Sequence, residues 1–333
     1  MTEMKRQTEL DILRLLATLA VIAIHAVKIS APFGIAPLVW SVPVFFLISG
    51  RFFLDPKREV TLTKLFRKSL LRIIAAFLFW SAAFTVYYQL SGSYAGLNPF
   101  GILAEFIHGP YHLWFLYALA GLYLLTPILR KIAADNKTLI YTLVLFAVVN
   151  IITEYLIYLP KLGSIAEGFV SQLGLGIMTG YMGYYLLGYF IWKNKDAMGK
   201  RTEIVIYILG ITMFAATIVA ESLASSELRE TDFVKQYMKP NVILFSAALY
   251  TFFIKRVAQR RFSEKSRYIL MKLTEYGFGV YCIHALLNEL IQTPSFSALP
   301  ICSALLRVLV LYLLSLSCTW LLRKIPVVGK MIT

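Results

Sequence analysis

The chain has 333 residues, of which 59% are hydrophobic and only 15% charged, with a mean hydropathy of +0.70 and a formal net charge of +15. Soluble domains are about half apolar and about a quarter charged, so this composition excludes an ordinary soluble enzyme and points to an all-α integral membrane protein. The basic excess does not indicate nucleic acid, because Lys and Arg sit in short loops between apolar runs, as the positive-inside rule requires.

A run of about 20 apolar residues crosses the hydrocarbon core as a helix. On that measure the chain contains about ten spans, near 10–28, 38–54, 70–90, 112–130, 138–159, 173–192, 204–223, 241–258, 275–292 and 303–322. With the N-terminus inside, 26 of the 33 Lys and Arg fall in inside segments and 5 outside; Arg14 and Arg307 lie within spans. This asymmetry predicts both termini on the cytoplasmic side. The apolar segments run end to end, so residues 1–333 read as a single transmembrane domain. The first span has no small-residue cleavage site behind it and is expected to remain in the protein.

The first span, LDILRLLATLAVIAIH, carries Asp11, Arg14 and His25. Ionisable groups inside a span are costly and mark interior faces or functional sites. At about 100° per residue, the eleven steps from Arg14 to His25 end roughly 20° past three full turns. The two side chains therefore share a face, roughly 16 Å apart along the axis, with Asp11 one turn before Arg14. Arg14 suits a phosphate or carboxylate, or it snorkels to headgroups with Asp11 neutralising it. His25 suits a general base; its bland alternative is a packing hydrogen bond between helices.

The second span is short and carries Pro43. Arg67, Lys68 and Arg72 stand at the inner end of the third, where they hold a polyanion or contact lipid headgroups. His112 opens the fourth span, beside Tyr111 and Trp114, which also suit an interfacial aromatic belt. Glu154, Glu105 and Glu167 are carboxylates expected toward the outer side. In the ninth span Gly277 and Gly279 are expected to interrupt the helix or to allow close helix approach, with Tyr276, Tyr281 and His284 lining an interior. Cys282, Cys302 and Cys318 form no CxxC pair or His/Cys set, so neither a disulfide framework nor a metal site follows.

Four stretches together resemble the membrane-bound acyltransferase family 3: ELDILRLLATLAVIAIH with Arg14 and His25 in an R-x10-H arrangement, VPVFFLISG at 42–50, YHLWFLYAL at 111–119, and YGFGVYCIH at 276–284. The resemblance implies acyl transfer, commonly from acetyl-CoA as co-substrate with no permanently bound cofactor, onto a hydroxyl of a cell-surface carbohydrate or its lipid-linked precursor. It maps the family's essential arginine and histidine onto Arg14 and His25, and its RRxxxR element onto Arg67, Lys68 and Arg72, with lysine in the second place. Two positions depart from the family's pattern: Arg51 follows the SG of the second stretch, where an aromatic residue is common, and Cys282 replaces the usual leucine.

These readings combine into one expected site. Arg14, Arg67, Lys68 and Arg72 meet the phosphates of acyl-CoA, and Asp11 orients Arg14. His25 activates the acceptor hydroxyl, while His112, Trp114, Tyr281 and His284 line the acceptor side. Membrane lipids are the remaining partner. A transporter or flippase for a small polar solute or glycan precursor would also suit many spans with buried charge, but the two halves show no repeat. In a third reading, a scaffold, the buried polar groups serve only helix packing.

Overall fold

The computed structural model describes residues 7–26, 35–58, 61–154, 163–174, 180–223, 237–291 and 300–333. Among them every regular element is helical. In chain order these are α1 (Thr8–Ala26), α2 (Ser41–Phe53), α3 (Leu71–Leu90), α4 (Pro99–His108), α5 (Trp114–Ala134), α6 (Asn136–Glu154), α7 (Gly163–Gln172), α8 (Met182–Asn194), α9 (Lys200–Leu223), α10 (Pro240–Lys255), α11 (Glu264–Leu290), α12 (Pro300–Leu322) and α13 (Val328–Ile332). A one-turn helix and a six-residue π-helical segment, Leu65–Leu70, lead into α3.

Among the described residues, seven stretches are long and apolar enough to cross a membrane: Ala36–Phe53, Leu65–Leu90, Trp114–Ala134, Asn136–Glu154, Lys200–Leu223, Pro240–Gln259 and Ala304–Leu322. They coincide with seven of the ten expected spans. The other three differ for separate reasons. In α1, Glu9, Asp11 and Arg14 cluster in the first turns. In α8 the helix has only 13 residues, and 175–179 lie outside the described residues. In α11, charged residues fill the first half. Ile204, Val205, Ile208 and Ile211 on α9, and Leu305, Leu306 and Leu309 on α12, are large exposed apolar groups. Whole helices of this kind are stable facing lipid, where the helix satisfies its own backbone. The protein is a multi-pass membrane protein.

The chain divides into two compact units. The first comprises residues up to Ile24, Lys28–Glu59 and Thr126–Met271; the second comprises His25–Val27, Val60–Leu125 and Lys272–Thr333.

In the first unit α2 and α8 cross at backbone contact. A Cβ at Gly50 would meet the carbonyl of Tyr185, and one at Gly188 would meet that of Leu47. Phe46 stacks on Tyr181 at 4.4 Å, and the Thr126 and Tyr185 hydroxyls lie 3.0 Å apart. Helices α9 and α10 meet at Gly210 and Ala248. The end of α2 is fixed by Arg130, whose guanidinium donates to the carbonyls of Phe53 (2.7 Å), Asp55 (3.0 Å) and Arg58 (3.0 Å). Arg51 is buried against Asp55 (2.7 Å) and lies over the Trp192 ring at 3.9 Å. An aromatic side chain is therefore not missing beside position 51: Trp192 supplies the ring and Arg51 stacks on it.

In the second unit α13 folds onto α3. Trp80 Nε1 donates to the Ile332 carbonyl at 2.8 Å. Gly109, with φ 69°, brings the turn before α5 within 2.7 Å of Phe77, measured from where a Cβ would stand. A residue with a side chain would be strained there on both counts. The expected interruption at Gly277 and Gly279 does not occur, because α11 runs unbroken through both. Gly279 does allow the expected close approach, since a Cβ there would meet the Thr319 and Thr333 side chains.

Candidate functional site

Helix α1 is continuous through Arg14 and His25, so both groups stand on one helix, as the spacing predicts. In the first unit Asp11 is 2% exposed and accepts from Arg14 Nη1 at 3.2 Å. The Arg14 guanidinium lies 4.9 Å from the Phe52 ring centre, and its side chain keeps 31% of its surface open. Asp11 thus orients the guanidinium.

His25 ends the same helix and lies among rings of the second unit. Its ring centre is 5.2 Å from Tyr111 and 5.3 Å from His284. His284 is in turn 5.3 Å from His112. Tyr281 closes the group at 5.8 Å from His112 and 5.9 Å from His284. Two helices and one turn supply these side chains: His25 from α1, Tyr111 and His112 from the turn before α5, and Tyr281 and His284 from α11, where three-residue spacing puts them on one face. His112 and His284 are 2% and 0% exposed.

Backbone carbonyls hold the two buried rings. His284 Nδ1–H donates to the Tyr281 carbonyl at 2.6 Å, and His112 Nε2–H donates to the Cys282 carbonyl at 3.1 Å. The Tyr281 hydroxyl donates to the carbonyl of His112. Asn288 donates to the carbonyl of His25 at 3.0 Å and accepts from Arg307 at 2.9 Å. Asn288 and Arg307 thereby fix the end of α1. Among the described residues no three His, Cys, Asp or Glu side chains converge to hold a metal ion.

The structure distributes the remaining expected residues unevenly. Trp114 begins α5 with its ring 6.3 Å from Phe115, and Phe115 in turn contacts Tyr281 at 5.4 Å. Arg67 and Lys68 are exposed on the π-helical segment. Arg72 turns inward: it donates to the Thr333 carbonyl at 2.6 Å and lies 4.8 Å from the Phe278 ring. The three basic residues therefore do not form one cluster. Glu154 is held by Lys239, whose Nζ donates to its carbonyl at 2.5 Å and lies 3.7 Å from its carboxylate. Glu105 is exposed on α4, and the side chain of Glu167 lies outside the described residues. Tyr111 and Asn288 join the site through contacts that sequence spacing does not mark. Asn288 had a usable signal, a polar residue one turn beyond His284 in an apolar stretch.

Imidazoles with one nitrogen fixed by a carbonyl, beside a third histidine, are groups chemically able to accept hydrogen bonds and to exchange protons near neutral pH. The chain belongs to the acyltransferase family 3: a family model described as an acyltransferase domain matches residues 7–324. It is a membrane acyltransferase. No curated protein and no solved structure matches the chain significantly.

Proposed function

We propose that the protein moves an acetyl or other short acyl group from cytoplasmic acyl-CoA to a hydroxyl of a cell-surface polysaccharide or lipid-linked glycan precursor. The observation that carries this reading is His25, set among His284, Tyr111 and His112 at the end of the helix that also bears Arg14. The family supplies the acyl chemistry, and the length and layout resemble those of the enterobacterial common antigen O-acetyltransferase. In this reading the protein sits in the plasma (inner) membrane with about ten spans and both termini cytoplasmic, an orientation that the 26-to-5 division of Lys and Arg supports.

In this mechanism Arg14, oriented by Asp11, receives a phosphate of the donor, and the exposed Arg67 and Lys68 are further donor-side cations, while Arg72 stays held by Thr333. The pantetheine arm is long and thin enough to follow the roughly 16 Å between Arg14 and His25 given by the helical rise. His25 removes the proton of the acceptor hydroxyl as its oxygen attacks the thioester carbonyl carbon. The C–O bond forms, the C–S bond breaks, and the departing thiolate takes the proton back from His25. A covalent acyl-histidine that passes the acyl group onward is the alternative order of events.

The test uses purified protein in detergent with radiolabelled acetyl-CoA and a cell-envelope glycan fraction. Label should pass to glycan with the wild type and not with His25→Ala. Equal labelling by both would remove His25 from the chemistry. No transfer to any acceptor, with solute uptake in vesicles, would replace the enzyme by a transporter.

A further inference from the structure

The two buried histidines beside His25 have defined tautomers. A carbonyl oxygen can only accept, so the nitrogen facing it carries the proton. His284 therefore holds its proton on Nδ1, facing the Tyr281 carbonyl, and His112 holds its proton on Nε2, facing that of Cys282. In the neutral ring the opposite nitrogen is a bare lone pair. These are His284 Nε2 and His112 Nδ1, and both are buried without a hydrogen-bond partner. Leaving a buried acceptor unpaired costs about 1–3 kcal/mol. Two such costs fall in one cluster, on rings whose centres lie 5.3 Å apart.

We infer that His112 and His284 form a receptor for a neutral polyol, with His112 Nδ1 and His284 Nε2 each accepting a hydrogen bond from a hydroxyl of the same sugar. The site offers two acceptors, so it selects hydrogen-bond donors. A carboxylate presents only acceptors and is rejected. An oxyanion likewise receives nothing from these nitrogens, so the pair binds the alcohol and does not stabilise the tetrahedral intermediate. The ring of His284 also touches that of His25 at 5.3 Å. A hydroxyl neighbouring the two bound ones therefore stands close to the proposed base. The acyl-transfer reading is needed only to call this polyol the acceptor.

The test is nitrogen NMR on protein labelled with 15N-histidine in detergent, which contains only four histidines. His112→Gln and His284→Gln assign the signals, with the wild type carrying the measurement. Without ligand, His112 Nδ1 and His284 Nε2 should resonate as unprotonated nitrogens. Methyl β-D-glucoside should shift both toward hydrogen-bonded values. 1-Propanol, with one hydroxyl, should shift at most one, and acetate neither. Opposite tautomers, no shift with glucoside, or an equal shift with acetate would overturn the inference. Where turnover is measurable, His284→Phe should raise KM for the acceptor about tenfold, the value of one such bond, with KM for acetyl-CoA unchanged and Gln restoring part of the loss. The NMR needs no turnover, so a protein that binds glucoside but transfers no acyl group refutes the enzyme reading alone.

Discussion

The end of α2 and the histidine cluster are both buried polar groups in an apolar protein, but they are finished differently. Arg130 directs its donors to three carbonyls, and Arg51 pairs with Asp55 and stacks on Trp192, leaving only its Nε without a hydrogen-bond partner. His112 and His284 each use one nitrogen on a carbonyl and leave the other bare. Satisfied polar groups rigidify a fold, and unsatisfied ones keep a cost that a ligand can remove. The first arrangement is a staple, and the second is a site that is incomplete without its ligand.

This contrast can be broken by substitution. The largest expected effect is on chemistry: His25→Ala should lower acyl transfer by about 10²–10⁴-fold, the usual contribution of a general base, with little change in thermal stability in detergent. Next is Arg130→Ala, which strands three carbonyls at the end of α2. It should destabilise by about 2–4 kcal/mol, seen as a lower Tm, while transfer per folded molecule is retained. Gly188→Ala should cost about 1–3 kcal/mol, because the new Cβ meets the unyielding backbone of Leu47. The smallest effect is Arg67→Ala. Its side chain is exposed, so stability should stay within about 0.5 kcal/mol. A raised KM for acetyl-CoA with unchanged kcat would give Arg67 the donor-side role, and an unchanged KM would remove it.

The all-helical character and seven of the expected spans are legible in the sequence, because span length is a direct consequence of bilayer thickness. The placement of Arg14 and His25 on one helix follows from helical geometry alone. The unbroken α11 does not follow from its glycines, since a helix in lipid keeps its backbone bonds even where glycine costs about 1 kcal/mol. The inward turn of Arg72 was hidden because its partner, Thr333, is 261 residues away and contributes only a carbonyl. The same reason conceals the tautomers of His112 and His284. The histidines are visible as residue types, but backbone acceptors leave no mark in a sequence.

The most direct measurement compares His25→Ala with Arg130→Ala for acyl transfer from radiolabelled acetyl-CoA, each normalised to the folded fraction from its thermal melt. The account predicts that His25→Ala melts like the wild type and transfers no label, while Arg130→Ala melts lower and transfers at the wild-type rate per folded molecule. Transfer by His25→Ala at the wild-type rate would contradict it, as would a loss of transfer in His25→Ala explained entirely by a lowered folded fraction.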